Sequence, residues 1–271
     1  ALKQAEELGD KSGMGYSINC IGTVHYYKGD YDKALDYYGT SLAIREELGD
    51  KLGIGSVLGN TGIAHVYIGD YDTALDYFGR SLVIYEELGN KSGMGNSLTS
   101  IGLVHSNKGD NDKALDYYGR SLVILEELGD KSGMGYSLTS IGLVHSDKGD
   151  LDKALDYYGR SLVIQEELGD KSGMGYSLNN IGNVQAAKGD YDKALDYFGR
   201  SLVICEELGD KLGMGYSLIG IGNVHHNKGD LDKALDYQGR SLVIQEELGD
   251  KHGMVGSLHS IGVVHANKGD Y

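Results

Sequence analysis

The sequence has no proline, no tryptophan, only two phenylalanines and only two cysteines among 271 residues. No apolar run approaches the roughly 20 residues that a transmembrane helix needs, and no signal peptide is recognisable. We therefore expect no membrane-spanning segment. Cys20 and Cys205 occupy different positions of a sequence repeat, so we expect no disulfide between them. Unpaired cysteines are typical of a reducing compartment, and we expect a cytoplasmic location.

Basic residues are also scarce relative to acidic ones. The chain has 25 Lys and Arg against 40 Asp and Glu, a formal net charge of −15. Nucleic acids and anionic membrane surfaces are therefore disfavoured as partners, since both recruit Lys and Arg. Two interpretations of the charge stay open, solubility and attraction of a basic partner. Because the chain begins with Ala1 rather than Met, we expect a segment excised from a longer protein.

What the chain has in abundance is glycine, 43 residues in all, and repetition. The segment KALDYYGRSLVI occupies residues 113–124 and returns at 153–164, followed by KALDYFGRSLVI at 193–204 and KALDYQGRSLVI at 233–244. The period is 40 residues without insertions. Such self-similarity is typical of proteins in which each unit buries its apolar side against its neighbours.

Gly-Asp or Gly-Asn pairs divide each period into two halves of helical periodicity. Glycine suits the left-handed residue after a helix, and aspartate suits the N-cap of the next one. The pattern predicts an all-α solenoid of antiparallel helix pairs. We expect a single domain over 1–271, with a remnant helix at 1–8 and an unpaired last helix at 251–268. Between these, the predicted helix-pair repeats are 11–50, 51–90, 91–130, 131–170, 171–210 and 211–250.

The residues at fixed positions of each repeat resemble those of the tetratricopeptide repeat family. Ile18 matches the early apolar position, Ile21 and Gly22 match its Leu-Gly pair, and His25 stands where Tyr is usual. In the second half Ala34 and Tyr38 match, while Ser41 replaces the second Ala. The resemblance implies a right-handed superhelical α-solenoid. It also implies a non-enzymatic scaffold that binds a peptide or protein segment in a concave groove.

The histidine near the end of each first half is the one recurrent candidate for chemistry. Equivalent residues on neighbouring helices are separated by about 8–10 Å, too far to share one zinc ion. We therefore interpret His105 and its equivalents as packing residues with one hydrogen-bonded nitrogen. We therefore predict no metal site and no cofactor. We also predict no catalytic residue, because Glu46-Glu47 and its copies are interpreted as solvated helix ends.

Function should lie where the repeats differ from one another. The positions of residues 19, 20, 23, 26 and 27 drift from repeat to repeat, whereas Gly22 and Ala34 recur. In the tetratricopeptide repeat family, which the chain resembles, this side of the first helix contacts ligands. We predict a groove whose asparagines pair with the main chain of an extended peptide; the alternative is a tolerated polar surface. The predicted groove residues are Tyr136, Tyr176, Asn179, Asn183, Tyr216, Asn223 and Asn227.

Two further classes of function stay open at this stage. One is the regulatory arm of a multidomain signalling protein, and the other is a self-assembling array joined head to tail through uncapped apolar ends. The glycine in the middle of each second helix, Gly39 and its copies, has two explanations: close approach of a neighbouring helix or plain tolerance on the convex face. In both cases we expect a continuous helix through Gly79.

Overall fold

The computed structural model describes residues 2–269, apart from the side chain of Glu6; Ala1, at the start of the predicted remnant helix, Asp270 and Tyr271 lie outside the described residues. Within this range the regular secondary structure is entirely helical. The helices are α1 (Leu2–Leu8), α2 (Lys11–Tyr27), α3 (Tyr31–Leu48), α4 (Lys51–Tyr67), α5 (Tyr71–Glu87), α6 (Lys91–Asn107), α7 (Asn111–Leu128), α8 (Lys131–Asp147), α9 (Leu151–Leu168), α10 (Lys171–Ala187), α11 (Tyr191–Leu208), α12 (Lys211–Asn227), α13 (Leu231–Leu248) and α14 (Lys251–Lys268).

The chain divides into two compact units, Ala1–Gly133 and Met134–Tyr271. In the first unit, α2 packs on α3, α4 on α5 and α6 on α7, while α3 also packs on α4 and α5 on α6. In the second unit, α10 packs on α11 and α12 on α13, with α14 against α13. Each unit is therefore a stack of antiparallel helix pairs, which confirms the predicted fold class. A single continuous domain over 1–271 stays a prediction.

The turns between helices follow the predicted Gly-Asp chemistry, with one difference. All the turn glycines have positive φ, from 63° at Gly89 to 84° at Gly229. Ahead of the first helices the aspartate caps as expected; Asp10 accepts from the Gly13 amide at 2.9 Å. Ahead of most second helices it does not. Asp30 makes no side-chain cap, and its Oδ2 instead lies 3.3 Å from Nδ1 of His25.

An aromatic ring over a glycine holds the two helices of a pair together. Tyr38 is 2 % exposed, and a Cβ added at Gly22 would lie 2.7 Å from its ring. Beside it, the Ser41 hydroxyl donates to the Gly15 carbonyl at 2.7 Å. The same ring-on-glycine contact recurs with Tyr or Phe in the next four repeats, whereas Gln238 replaces the ring in the last. These close approaches explain why glycine and serine recur at these positions.

Successive pairs are joined by a side chain held between two glycines. Tyr85 of α5 lies against Gly55 of its own repeat and Gly93 of the next; added Cβ atoms there would come within 3.0 and 2.4 Å of its ring. Cys205 occupies the equivalent place in the second unit, where burial raises the pKa of its thiol. Because glycine leaves space on both sides, this position tolerates different side chains. They are Arg45, Tyr85, Leu125, Gln165, Cys205 and Gln245.

The mid-helix glycines have no close neighbour. A Cβ at Gly79 or Gly199 would meet nothing within 4 Å, so tolerance, rather than close approach of a helix, accounts for them. Helix α5 runs unbroken through Gly79, as predicted. The missing side chain leaves a shallow apolar concavity on the second helix. Around Gly199 and Val203 it measures about 650 Å³.

Candidate binding surface on the first helices

The exposed face of the first helices is formed by three residues of each helix that lie on the same side. One is near the start of the helix, and the other two follow it by 7 and 11 positions. On α12 these are Tyr216, 55 % exposed, with Asn223 and Asn227, which are also exposed. On α10, which packs directly on α12, they are Tyr176, 53 % exposed, and Asn183. We call the exposed side chains at positions 16, 23 and 27 and their equivalents the first-helix face.

The predicted groove residues fall on this face with one exception. Tyr136 on α8 is 53 % exposed, like its equivalents on α10 and α12. The carbonyl of Asn223 accepts a hydrogen bond from Gln238 Nε2 at 2.9 Å, so its amide group is the part that faces solvent freely. Asn183 and Asn227 are exposed without such a bond among the described residues.

Asn179 is the exception, and its predicted placement is wrong. It is 8 % exposed, and its Nδ2 donates to Ser217 Oγ of the next repeat at 3.0 Å. The equivalent Thr139 is also buried and lies 2.7 Å from Ser161 Oγ. This position therefore makes polar contacts between helices, and its drift from repeat to repeat reflects changing partners rather than a changing surface.

In the first two repeats the same face carries aromatic side chains instead of amides. Tyr27 is 81 % and Tyr67 61 % exposed. Tyr26 lies edge-on to Tyr67, with ring centroids 5.3 Å apart, and Tyr31 stacks on Tyr67 at 5.8 Å. Tyr27 packs edge-on against Tyr26 at 5.2 Å. We call Tyr26, Tyr27, Tyr31 and Tyr67 the tyrosine cluster.

The tyrosine cluster was not identified from the sequence. Its members come from the end of α2, the start of α3 and the end of α4, so the helix ends bring together residues that are far apart in the chain. The sequence does contain an indication of this cluster, because no other repeat has tyrosine at the positions equivalent to residues 26, 27 and 31 together. Burial, followed by a hydrogen bond with Tyr67, raises the pKa of Tyr26, so its phenol stays uncharged at neutral pH.

A carboxylate without its usual partner adjoins this cluster. Elsewhere, a lysine just after the first helix reaches an aspartate on the second helix of the preceding repeat. The pairs, all 2.5–2.7 Å apart, are Lys108–Asp72, Lys188–Asp152, Lys228–Asp192 and Lys268–Asp232. Ile68 replaces the lysine that would face Asp32. Among the described residues, exposed Asp32 has no ion-pair partner.

The histidines hold the ends of the helix pairs together. His105 is 8 % exposed, and its Nδ1 lies 3.3 Å from Asp110 Oδ2. Its ring stacks on Tyr117, with centroids 5.4 Å apart, and the Arg120 guanidinium lies over the same tyrosine. The interpretation as a packing residue with one hydrogen-bonded nitrogen is confirmed.

Several other features of the described residues bear on the class of site. No group of three or more His, Cys, Asp or Glu in residues 2–269 is arranged to hold a metal ion. Across the same residues, no helix has the length and apolar character needed to cross a membrane. Cys20 is exposed and Cys205 buried, and both are free thiols, as predicted.

Comparison with known sequences places the chain in a family. The sequence model of the tetratricopeptide repeat matches residues 15–87, 93–167, 133–207 and 173–247. The chain therefore belongs to the tetratricopeptide repeat family, as the resemblance implied. A sequence comparison with curated proteins gives no match.

Solved structures share the fold at low sequence identity. A signal transduction ATPase with numerous domains and a tetratricopeptide repeat sensor, from Pyrococcus horikoshii, superposes with a TM-score of 0.79 at 16% identity; 96% of this chain but 40% of that one is covered. A Rap protein complexed with competence and sporulation factor gives 0.69 at 14% identity, covering 93% and 75%. BtubC (BKLC) from P. vanneervenii gives 0.72 at 18% identity, covering 82% and 93%.

Proposed function

We propose that this chain is a protein-interaction module that binds an extended peptide or protein segment along the first-helix face. One observation carries the proposal: the glycine beneath the packed side chain of each helix pair recurs from repeat to repeat, whereas the exposed residues at positions 23 and 27 of the first helices change. Gly102 and Gly222 recur beneath Tyr118 and Gln238, while the residue after the glycine changes from Leu103 to Asn223. A face free of packing constraints and varied along its length suits recognition of a partner.

The asparagines of the second unit give this face its chemistry. The carboxamide of Asn183 offers a donor and an acceptor, and Asn223 offers its amide N–H because its carbonyl already accepts from Gln238. Such groups pair with the main chain of an extended peptide whatever its sequence. Tyr176 and Tyr216 lie about two helix turns before Asn183 and Asn223 on the same helices. They add apolar area at little cost in side-chain entropy. The Rap structure, which is complexed with competence and sporulation factor, supports the binding of a partner on this fold by analogy.

The proposal is tested with a peptide selected for binding from a random display library. Asn183→Ala combined with Asn223→Ala should weaken binding of that peptide about 5- to 150-fold, the equivalent of two ordinary hydrogen bonds. Asn111→Ala, on a second helix, is the matched control and should leave the affinity unchanged. Equal affinities of all three proteins would remove the asparagines from the binding surface.

A second candidate is the sensor arm of a larger signalling protein. It is favoured by the Pyrococcus horikoshii ATPase, whose tetratricopeptide repeat sensor belongs to a chain of which this one covers 40%. The sequence flanking these 271 residues in the parent gene decides the matter. A catalytic domain there supports the sensor arm, whereas its absence supports an independent scaffold. A cytoplasmic location stays a prediction in both cases.

Self-assembly is the third candidate, and the exposed apolar side chains of the terminal helices favour it. Val255 and Leu258 on α14 are 67 % and 52 % exposed, and Leu8 on α1 is 74 % exposed. Contact between such faces of two copies would bury them. Light scattering across a range of protein concentrations measures it. A mass that rises with concentration supports assembly, and a constant monomer mass contradicts it.

A further inference from the structure

The tyrosine cluster combines exposed ring faces with a carboxylate. Tyr31 and Tyr67 stack within 5.8 Å, and the residues that follow them in the chain are Asp32 and Ile68. In other repeats the equivalents of residues 32 and 68 lie in direct contact, as Asp72 and Lys108 do. Asp32 therefore lies beside the stacked pair, with an isoleucine in the place of its cation.

Two neighbouring charged groups are engaged or directed elsewhere. Oδ2 of Asp30 lies 3.3 Å from His25 and 3.6 Å from Lys33. Lys28 follows α2, and its equivalents, such as Lys108, reach back toward the preceding repeat rather than forward. Asp32 is thus a carboxylate of this region that lacks a counter-ion within the described residues.

We propose that the tyrosine cluster and Asp32 bind a cationic side chain, lysine or arginine, of the partner segment; this rests on the proposed function and assigns part of its specificity. The negative faces of tyrosine rings attract cations within about 6 Å. A carboxylate at the edge of the rings adds an ion pair to the same group. An apolar partner would instead cover Asp32 and desolvate it without compensation. The net charge of −15 favours a basic partner as well.

Burial, followed by the hydrogen bond with Tyr67, raises the pKa of Tyr26, so this ring presents an uncharged aromatic face. The arrangement occurs once in the chain, because the lysine at the equivalent of residue 68 recurs in every later repeat. A single cationic side chain is thus anchored at the tyrosine cluster of the first unit.

The probe for this site is a Gly-Arg-Gly peptide that is acetylated and amidated at its ends. The control is the same peptide with citrulline in place of arginine, because citrulline has the shape of arginine but no charge. Titration is followed through the tyrosine ring signals by NMR at low salt. We expect the arginine peptide to shift the signals of Tyr31 and Tyr67, and the citrulline peptide to bind about two- to fivefold more weakly, as an exposed cation–π contact implies. Equal binding of both peptides would overturn the proposal.

Three variants with matched controls locate the contact. Ile68→Lys restores the repeat pattern, places a cation against Asp32 and should weaken the arginine peptide about fivefold. Thr73→Lys adds the same charge on α5, at a position where other repeats have lysine, and should change binding little. Asp32→Asn should weaken binding, whereas Asp192→Asn, whose carboxylate already pairs with Lys228, should not. Tyr67→Ala should weaken binding two- to fivefold while Tyr67→Phe retains it.

The two proposals fail separately. If the arginine peptide leaves the tyrosine signals unchanged, or if Ile68→Lys and Thr73→Lys behave alike, the cation site is contradicted. That result leaves the test on Asn183 and Asn223 unaffected, because those residues lie in the second unit. If Asn183→Ala and Asn223→Ala leave the affinity of the selected peptide unchanged while the arginine peptide still shifts the Tyr67 signals, the asparagine face is contradicted and the cation site is supported.

Discussion

Nζ of Lys108 lies 2.6 Å from Oδ1 of Asp72, so an ion pair joins the end of one first helix to the second helix of the repeat before it. The contact raises the pKa of Lys108, chiefly through this hydrogen bond. Both groups are at the surface, where such pairs contribute little individually and are screened by salt. In the second unit the same pair recurs as Lys188–Asp152, Lys228–Asp192 and Lys268–Asp232 and joins successive repeats at the same point.

Replacing Ile68 with lysine should complete this series by pairing with Asp32. We expect a small gain in the free energy of unfolding at low salt that disappears at high salt. Urea unfolding of the wild type and the variant at two salt concentrations measures it. A gain that is independent of salt would mean that the new lysine acts through packing rather than through Asp32.

Alanine substitution should have opposite effects at two glycines of the same repeat. A Cβ at Gly102 would lie 2.8 Å from the Tyr118 ring, whereas one at Gly119 would meet nothing within 4 Å. Gly102→Ala should therefore destabilise by about 1–3 kcal/mol through overpacking. Gly119→Ala should stabilise by about 0.5–1 kcal/mol because alanine loses less backbone entropy in a helix. Urea unfolding of both variants gives the two signs; equal signs would contradict the ring-on-glycine account.

Gln238 is a buried polar side chain at a position that is otherwise aromatic. It is 1 % exposed, and its Oε1 has no hydrogen-bond partner within the described residues. Gln238→Phe should stabilise by about 1–2 kcal/mol, since it removes an unsatisfied acceptor and adds buried apolar area over Gly222. The reverse change, Phe198→Gln, should destabilise by a larger amount. Thermal or urea unfolding of the pair provides the comparison.

The histidine contact gives a pH dependence whose sign follows from the aspartate. The hydrogen bond with His105 is the main cause that lowers the pKa of Asp110 below 3.8. A carboxyl whose folded pKa is depressed stabilises the fold above the unfolded pKa, and this contribution is lost as the pH falls through the folded value. In His105→Gln the pKa of Asp110 should rise toward its ordinary value. NMR titration of the Asp110 carboxyl carbon measures it, and an unchanged pKa would contradict the assigned contact.

The architecture could be predicted because its determinants are local and repeated. Gly49 and Asp50 mark a helix end and the next N-cap whatever surrounds them, and the helices begin and end within a residue or two of the predicted bounds. The burial of Tyr38 over Gly22 likewise follows from a pattern that recurs in every complete repeat except the last, where Gln238 replaces the ring. Repetition within one chain thus reveals which positions pack.

The candidate site was only partly predictable, because variation has two causes that look alike in sequence. Asn183 varies from repeat to repeat because it is exposed, and Asn179 because its partner Ser217 lies on another helix. The tyrosine cluster was missed because Tyr26 and Tyr67 meet only when two helix ends are placed side by side. The packing of the helices determines which of the varied residues contact one another.

The most direct test of the account maps the bound partner onto the chain. With a peptide selected from the library, hydrogen exchange or backbone NMR should show changes at Tyr176, Asn183, Tyr216 and Asn223 on the first-helix face, and at the tyrosine cluster. The outward side of the second helices around Val203 should stay unchanged. Changes confined to the second helices, with none at Asn183 or Tyr67, would contradict the claim that the varied face of the first helices recognises the partner.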